Sequence, residues 1–200
     1  MSRVAEIAHN LIRIPIIVPL LLAFVVANSD TRGLVTADAK RWSDVFKWRR
    51  QPTVWLLCRL FRGATREFRN LYYYRLTKGT LMTKLLSRAL AFLIPGERTL
   101  FIRSRSIGPG LFIQHGFSTI ITATSIGKDC WVNQQVTIGH AGKKGSPTIG
   151  NNVRIAAGAI VIGPVLLGDD VIVGAGAVVT KDVPSGAVAI GPQATWTGKA

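Results

Sequence analysis

The chain has 200 residues and a formal net charge of +15, from 25 Lys and Arg against 10 Asp and Glu. That length supports one or two domains with a buried core, so folding requires neither disulfides nor a structural metal. Two cysteines, Cys58 and Cys130, are too few and too far apart for a disulfide framework or a metal-ligand pair, which suits a reducing compartment.

The charge is unevenly placed. Residues 1–106 hold 19 basic against 6 acidic side chains, and residues 107–200 hold 6 against 4. In the first half the basic residues accompany aromatic and apolar runs, WSDVFKWRRQPTVWLLCRLF and EFRNLYYYRL, a mixture expected at an anionic bilayer surface. No finger, winged-helix or RNA-binding signature accompanies the charge, so nucleic acid is not the expected partner. An ordinary solvated basic helical face is the plainer alternative.

The apolar segment from Ile14 to Ala27 is 14 residues long and contains Pro15 and Pro19. A spanning helix needs about 20 residues, so the segment reads as an interfacial or re-entrant anchor, a buried helix or an oligomer contact. A cleaved signal peptide is the rival reading, since Arg3 and Arg13 precede an apolar run ending in Val25 and Ala27. Further on, Trp42, Val45 and Phe46 have helical spacing, with Thr36 or Asp38 as caps. Pro52 opens a second helix through about Phe61, ended near Gly63. Two more helices are expected at about 65–76 and 81–93, the last stopped by Pro95 and Gly96. Tyr72, Tyr73 and Tyr74 read as core or interface residues.

From Ile107 the pattern changes. Aliphatic residues recur at Ile107, Ile113, Ile120, Ile126, Val132, Ile138, Ile149, Ile155, Val161, Leu167, Val173 and Val179, with a period of six. Four residues beyond lie Leu111, Phe117, Cys130, Val136, Val153, Ala159, Val165, Val171 and Ala177. Glycine follows the aliphatic residue at Gly108, Gly127, Gly139, Gly150, Gly168 and Gly174, and Gly163 is offset by one. A helix of 3.6-residue period would scatter these positions over its whole surface, and plain alternation would not hold glycine at one phase. Six-residue units, each a short strand and a turn, instead stack three to a triangular coil, the aliphatic residue pointing inward. Twelve units predict four coils of a parallel β-helix. The register breaks twice, between Ile113 and Ile120 and between Ile138 and Ile149, where GHAGKKGSP is ejected as a loop.

The strings LFIQHG, VNQQVTIG, HAGKKGSPTIG, IAAGAIVIG and VGAGAVVTKDVPSGAVAIG resemble the bacterial hexapeptide-repeat acyltransferases over about residues 100–194. The branch is that of the serine acetyltransferases and their relatives that acetylate sugars in capsule and exopolysaccharide synthesis. The resemblance supplies the left hand of the β-helix, which runs against the usual right-handed crossover. It divides the chain into a basic, helical, membrane-associated leader (1–98), a β-helix acyltransferase domain (99–194) and a tail (195–200).

The resemblance also implies a reaction and its parts. His115 matches the general base, an imidazole that takes a hydroxyl proton while the oxygen attacks the thioester of acetyl-CoA. CoA is expected in the groove between neighbouring β-helices of a homotrimer, with a higher oligomer through the leader as the alternative. His140, Ala157, Gly158 and Ala175 match its walls, and Lys143, Lys144 and Lys181 are candidates for its phosphates. No metal is called for. At four positions the chain departs from the serine enzymes: Gln114 replaces an aspartate, Leu100 stands where the acidic partner of the base falls, and Gly145 and Ser146 replace an Arg-His pair. Those charged groups select a zwitterion. Their absence favours a neutral, hydroxyl-rich acceptor held by the amides of Gln114, Asn133, Gln134 and Gln135. The expected function is therefore O-acetylation of a saccharide or lipid-linked saccharide by a cytoplasmic protein on the inner membrane face. Serine O-acetylation and a non-catalytic β-helical scaffold are the alternatives.

Overall fold

A computed structural model describes residues 17–63, 65–142 and 145–191. Residues 17–25 form the described part of helix α1, followed by α2 (Ser29–Val45), α3 (Thr53–Arg62), α4 (Arg66–Thr77) and α5 (Leu81–Leu93). The helices fall near their expected places, with two local differences. Asn28 caps α2, its side-chain oxygen accepting from the Thr31 N–H at 3.0 Å, so Thr36 and Asp38 lie inside the helix. Pro52 stands one position earlier than expected, as the N-cap residue of α3.

The aromatic runs of the leader are mostly core. Trp42, Phe61, Phe68, Leu71 and Tyr72 are fully buried, and the three tyrosine hydroxyls donate to the carbonyls of Leu20, Ile94 and Ser104. Each buried phenol thus has the partner it requires. The apolar segment around α1 is half packed: Ile17, Leu20, Ala23 and Ala27 face the core, while Val18, Leu22, Val25 and Val26 are exposed. Among the described residues no helix is long and apolar enough to cross a membrane. Residues 14–16 of the segment, and the tail at 195–200, lie outside the described residues.

The C-terminal half is a left-handed parallel β-helix with three faces. The first face stacks Leu100–Ile102, Thr119–Ile121, Thr137–Gly139, Ile160–Ile162 and Val178–Val179. The second stacks Ser106–Ile107, Ser125–Ile126, Thr148–Ile149 and Leu166–Leu167, continued by a single bridge to Val183. The third stacks Phe112–Ile113, Trp131–Val132, Arg154–Ile155, Ile172–Val173 and Val188–Ala189. The five-stranded faces count five coils, not four. The added rung is made by Leu100–Ile102 at one end and by Val183 and Ala189 at the other, where the glycine phase is absent.

The predicted inward positions are buried, with one shift. Ile121, fully buried, pairs with Ile138, whereas Ile120 points outward and is 42% exposed. The small positions four residues on are buried as expected except Phe117, which is 46% exposed because the extra residues after Ile113 carry it off the core. The glycine phase has a steric cause at the edge between the second and third faces. A Cβ on Gly108 would lie 2.7 Å from the Gly127 carbonyl, one on Gly127 2.5 Å from the Gly150 oxygen, and one on Gly168 2.5 Å from the Ser185 nitrogen. The rungs touch through bare backbone there.

The helices close the N-terminal end of the β-helix and cover part of its third face. Trp42 donates its indole N–H to the Leu111 carbonyl at 2.8 Å and meets Phe112 edge-on at 4.8 Å. Asn70 clamps the entry strand, donating to the Glu97 and Leu100 carbonyls and accepting from the Glu97 N–H.

Candidate functional site

The turn from the third face to the first recurs once per coil, and it gathers most of the candidate residues into one column. His115 lies on the first such turn, Asn133, Gln134 and Gln135 on the second, Ala157 and Gly158 on the third, and Ala175 on the fourth. Backbone bonds fix the stacking: Gln135 donates to Phe117 O, Gly158 to Gln134 O and Gly176 to Ala157 O. At about 4.8 Å per rung, His115 and Ala175 stand some 14 Å apart along the column.

Each turn needs a residue with positive φ, supplied by His115 (52°), Gln135 (58°), Gly158 (69°) and Gly176 (66°). A left-handed histidine costs about 1–2 kcal/mol. That cost holds an exposed imidazole on the edge of the prism. Among the described residues no carboxylate or other side chain makes a hydrogen bond to the His115 ring. Beside it, Asn133 Nδ2 donates to Gln114 Oε1 at 3.3 Å, so these two amides hold each other across a rung. Gln134 Oε1 is buried and has no hydrogen-bond partner among the described residues, leaving an acceptor for a ligand donor.

The remaining candidates lie elsewhere. His140 and Lys181 are exposed on the turn from the first face to the second, a different edge of the prism. Lys143 and Lys144 are outside the described residues. Within one chain the histidine column and the His140–Lys181 edge are therefore not brought together.

Below His115 opens a cleft of about 500 Å³, lined by Trp42, Val45, Phe46, Thr65, Glu67, Phe112, Ile113, Gln114, His115 and Trp131. Its aromatic wall is continuous: Phe46 contacts Phe112 at 5.7 Å and Phe112 contacts Trp131 at 4.8 Å, with the Arg154 guanidinium over the Trp131 ring at 4.7 Å. Glu67 is the carboxylate of this cleft. It comes from the first turn of α4 and packs on the histidine turn, its Cγ 3.0 Å from where a Cβ on Gly116 would stand. The repeat pattern could not have found it, because it belongs to a helix outside the repeat. Among the described residues no group of three or more His, Cys, Asp or Glu side chains could hold a metal ion.

Residues 146–181 match the family model for the bacterial transferase hexapeptide (six repeats). A serine acetyltransferase of Helicobacter pylori is 48% identical over 92 residues, covering 44% of this chain and 54% of that protein. A solved soybean serine acetyltransferase complexed with serine superposes with a TM-score of 0.63 at 24% identity, covering 82% of this chain and 68% of that one. A solved serine acetyltransferase in complex with CoA gives 0.58 at 22% identity, with 82% and 68% covered. At these identities the two structures establish the fold. The chain spans about half the length of the H. pylori relative. Residues 146–181 are thus similar to the hexapeptide-repeat transferases, and the 92-residue match is to a serine acetyltransferase.

Proposed function

We propose that the chain is an acetyl-CoA-dependent O-acetyltransferase in which His115 is the general base. The observation that carries this reading is the column itself: an exposed imidazole, held at positive φ, stacked over a run of amides and then of small residues. A Cβ on Gly176 would meet nothing within 4 Å, and one on Gly158 nothing closer than 3.9 Å, so this edge is open to close backbone approach by an extended pantetheine arm. The thioester supplies an activated acyl carbon. The imidazole takes the acceptor hydroxyl proton as the oxygen forms its bond to that carbon, then returns a proton to the departing sulfur. Direct transfer of this kind needs both substrates held at one edge, with no covalent enzyme intermediate.

His140 and Lys181 reach this site only when the first-to-second edge of one copy faces the histidine column of another. That requirement supports a homotrimer, with the CoA groove between copies.

Serine is the acceptor favoured by the curated relatives, which are named serine acetyltransferases. Glu67 supports it, since a carboxylate in the cleft can pair with the substrate ammonium group in place of the aspartate replaced by Gln114. A saccharide acceptor is favoured by a different observation. Among the described residues no Lys or Arg lines the cleft to meet an amino-acid carboxylate, while Trp131 and Phe46 offer a stacking wall. An acetyl-CoA donor supports a cytoplasmic reaction, and a saccharide carried on lipid would put it at the membrane face.

The test is an acceptor panel with purified full-length chain and acetyl-CoA, containing L-serine and nucleotide- and lipid-linked sugars, with thiol release and product mass as readouts. O-Acetylserine, or an acetylated sugar, formed by the wild type and not by His115→Ala supports acetyl transfer and names the acceptor. Acetylation undiminished in His115→Ala would overturn the assigned base.

A further inference from the structure

Helix α5 is inside out. Its packed face carries Thr83, Ser87 and Leu90, whereas Leu81, Leu85 and Phe92, spaced one and three turns apart, point away from the protein and are 73%, 54% and 86% exposed. Met82 and Leu93 widen the outward stripe. Lys84 and Arg88, both exposed, run along one side of it. An amphipathic helix in a soluble surface normally has the opposite arrangement, so a contiguous exposed apolar stripe of this kind marks an interaction face.

The stripe ends against a strongly basic cavity. Leu93 is itself a wall of an opening of about 870 Å³ that is also lined by Arg62, Arg66, Arg69 and Arg98. Arg69 donates to the Pro95 carbonyl at 2.9 Å, and the Glu97 carboxyl is held below its ordinary value by hydrogen bonds from Thr99, with a smaller contribution from the charge of Arg66. Four of the lining side chains are arginines and none is a carboxylate, so the opening is basic.

From this continuity we infer that the outward face of α5 and the arginine-lined opening at its C-terminal end form one docking surface for an anionic phospholipid bilayer. Leu81, Leu85 and Phe92 enter the acyl boundary, Lys84 and Arg88 lie at headgroup level, and the opening receives a headgroup phosphate. Charge decides the occupant. Residues 1–106 carry +13, from 19 basic and 6 acidic side chains, so two copies meeting through this face would bring like charges together. An anionic surface gains from the same charge. The sequence pointed to the tyrosine and tryptophan runs for membrane contact; Tyr72, Tyr73, Tyr74 and Trp42 are buried, Trp48 is half-buried and Trp55 is exposed, and the proposed lipid-facing residues lie on a helix whose hydrophobic period alone looks like ordinary core.

The inference is independent of the acetyl-transfer reading and is tested without acetyl-CoA. Full-length protein is co-sedimented with vesicles of phosphatidylcholine alone and of phosphatidylcholine with phosphatidylglycerol, at low and high salt. Wild type should bind the anionic vesicles and lose binding as salt rises. Phe92→Glu with Leu85→Gln, and separately Arg66→Gln with Arg98→Gln, should each lower the partition coefficient about tenfold, with circular dichroism melts confirming that the variants fold. Binding that survives both double substitutions would overturn the proposal. So would substitutions that leave vesicle binding intact but shift the sedimentation coefficient, since the stripe would then cover a second copy of the chain.

Discussion

Arg75 and Asp38 form a buried ion pair that joins the helical region to the first coil, with Nε 2.8 Å from Oδ2 and both side chains at most 2% exposed. The guanidinium also donates to the Ile107 and Gly108 carbonyls, and Asp38 Oδ1 accepts from the Gly110 N–H at 2.8 Å. Burial pushes the Asp38 carboxyl up, against the opposing pull of Arg75 and of the backbone N–H groups. Removing one partner strands the other in the interior, so Asp38→Ala should cost about 3–5 kcal/mol. Asp38→Leu combined with Arg75→Met should cost less than the sum of the single changes. Denaturant unfolding of Asp38→Ala, of Asp38→Leu and Arg75→Met singly, and of that double variant measures both quantities, and a strictly additive double variant would show that the pair is not coupled.

The glycine phase makes a contrast between two positions that look alike in the repeat. Gly127 faces the Gly150 carbonyl across a rung, whereas a Cβ on Gly139 would meet nothing within 4 Å. Gly127→Ala should therefore destabilise the β-helix by about 2–4 kcal/mol, from a backbone contact that no rotamer can relieve. Gly139→Ala should change the melting temperature by no more than a few degrees. Equal effects at the two positions would mean that the phase reflects turn preference and not rung contact.

Much of this architecture is legible in the sequence because one geometric unit is written repeatedly. The inward residues and the edge glycines follow from a six-residue rise and fall, and the histidine column follows once the turns are known to stack. Period alone could not choose between the adjacent Ile120 and Ile121, because two isoleucines fit the pattern equally. It also missed the coil that begins at Leu100, which lacks the glycine mark. What remained hidden depends on tertiary contacts between distant segments. Asp38 looked like a helix cap because its partner, Arg75, is 37 residues away. Glu67 carries no mark in the repeat, and only the packing of α4 sets it against the histidine turn.

Cys130 tests the dryness of the coil interior. Burial raises its thiol from 9.0 to about 11, and its sulfur lies 3.2 Å from the Gly150 carbonyl. A raised folded value means that the thiol contributes stability fully below about pH 9, where both states hold the proton. That contribution is lost as pH rises through about 11, and a two-unit shift corresponds to about 3 kcal/mol at most. Wild type should therefore lose more stability than Cys130→Ala between pH 8 and 10.5 in urea unfolding. In native protein at pH 8 a disulfide reagent should modify the half-buried Cys58 and spare Cys130 until the chain unfolds. Modification of both at one rate would show that the interior opens on the assay timescale.

His115 and Glu67 share one cleft, and their substitution should divide the roles of base and binding group. His115→Asn keeps a residue that tolerates positive φ, so its melting temperature should stay within about 2 °C of wild type while kcat falls about 10²–10⁴-fold. Glu67 acts on the acceptor if the acceptor carries an ammonium group. Glu67→Gln should then raise KM for serine about tenfold with kcat little changed, the pattern expected when an interaction made equally in the ground and transition states is lost. A neutral sugar would register the same substitution weakly, because the amide still offers a hydrogen bond. The KM ratio between Glu67→Gln and wild type thus reports the charge of the acceptor, whichever compound the panel identifies. If Glu67→Gln and Glu67→Ala both leave KM and kcat unchanged for the identified acceptor, the cleft beneath His115 is not where that acceptor binds, and the imidazole must meet it from the opposite, intersubunit side.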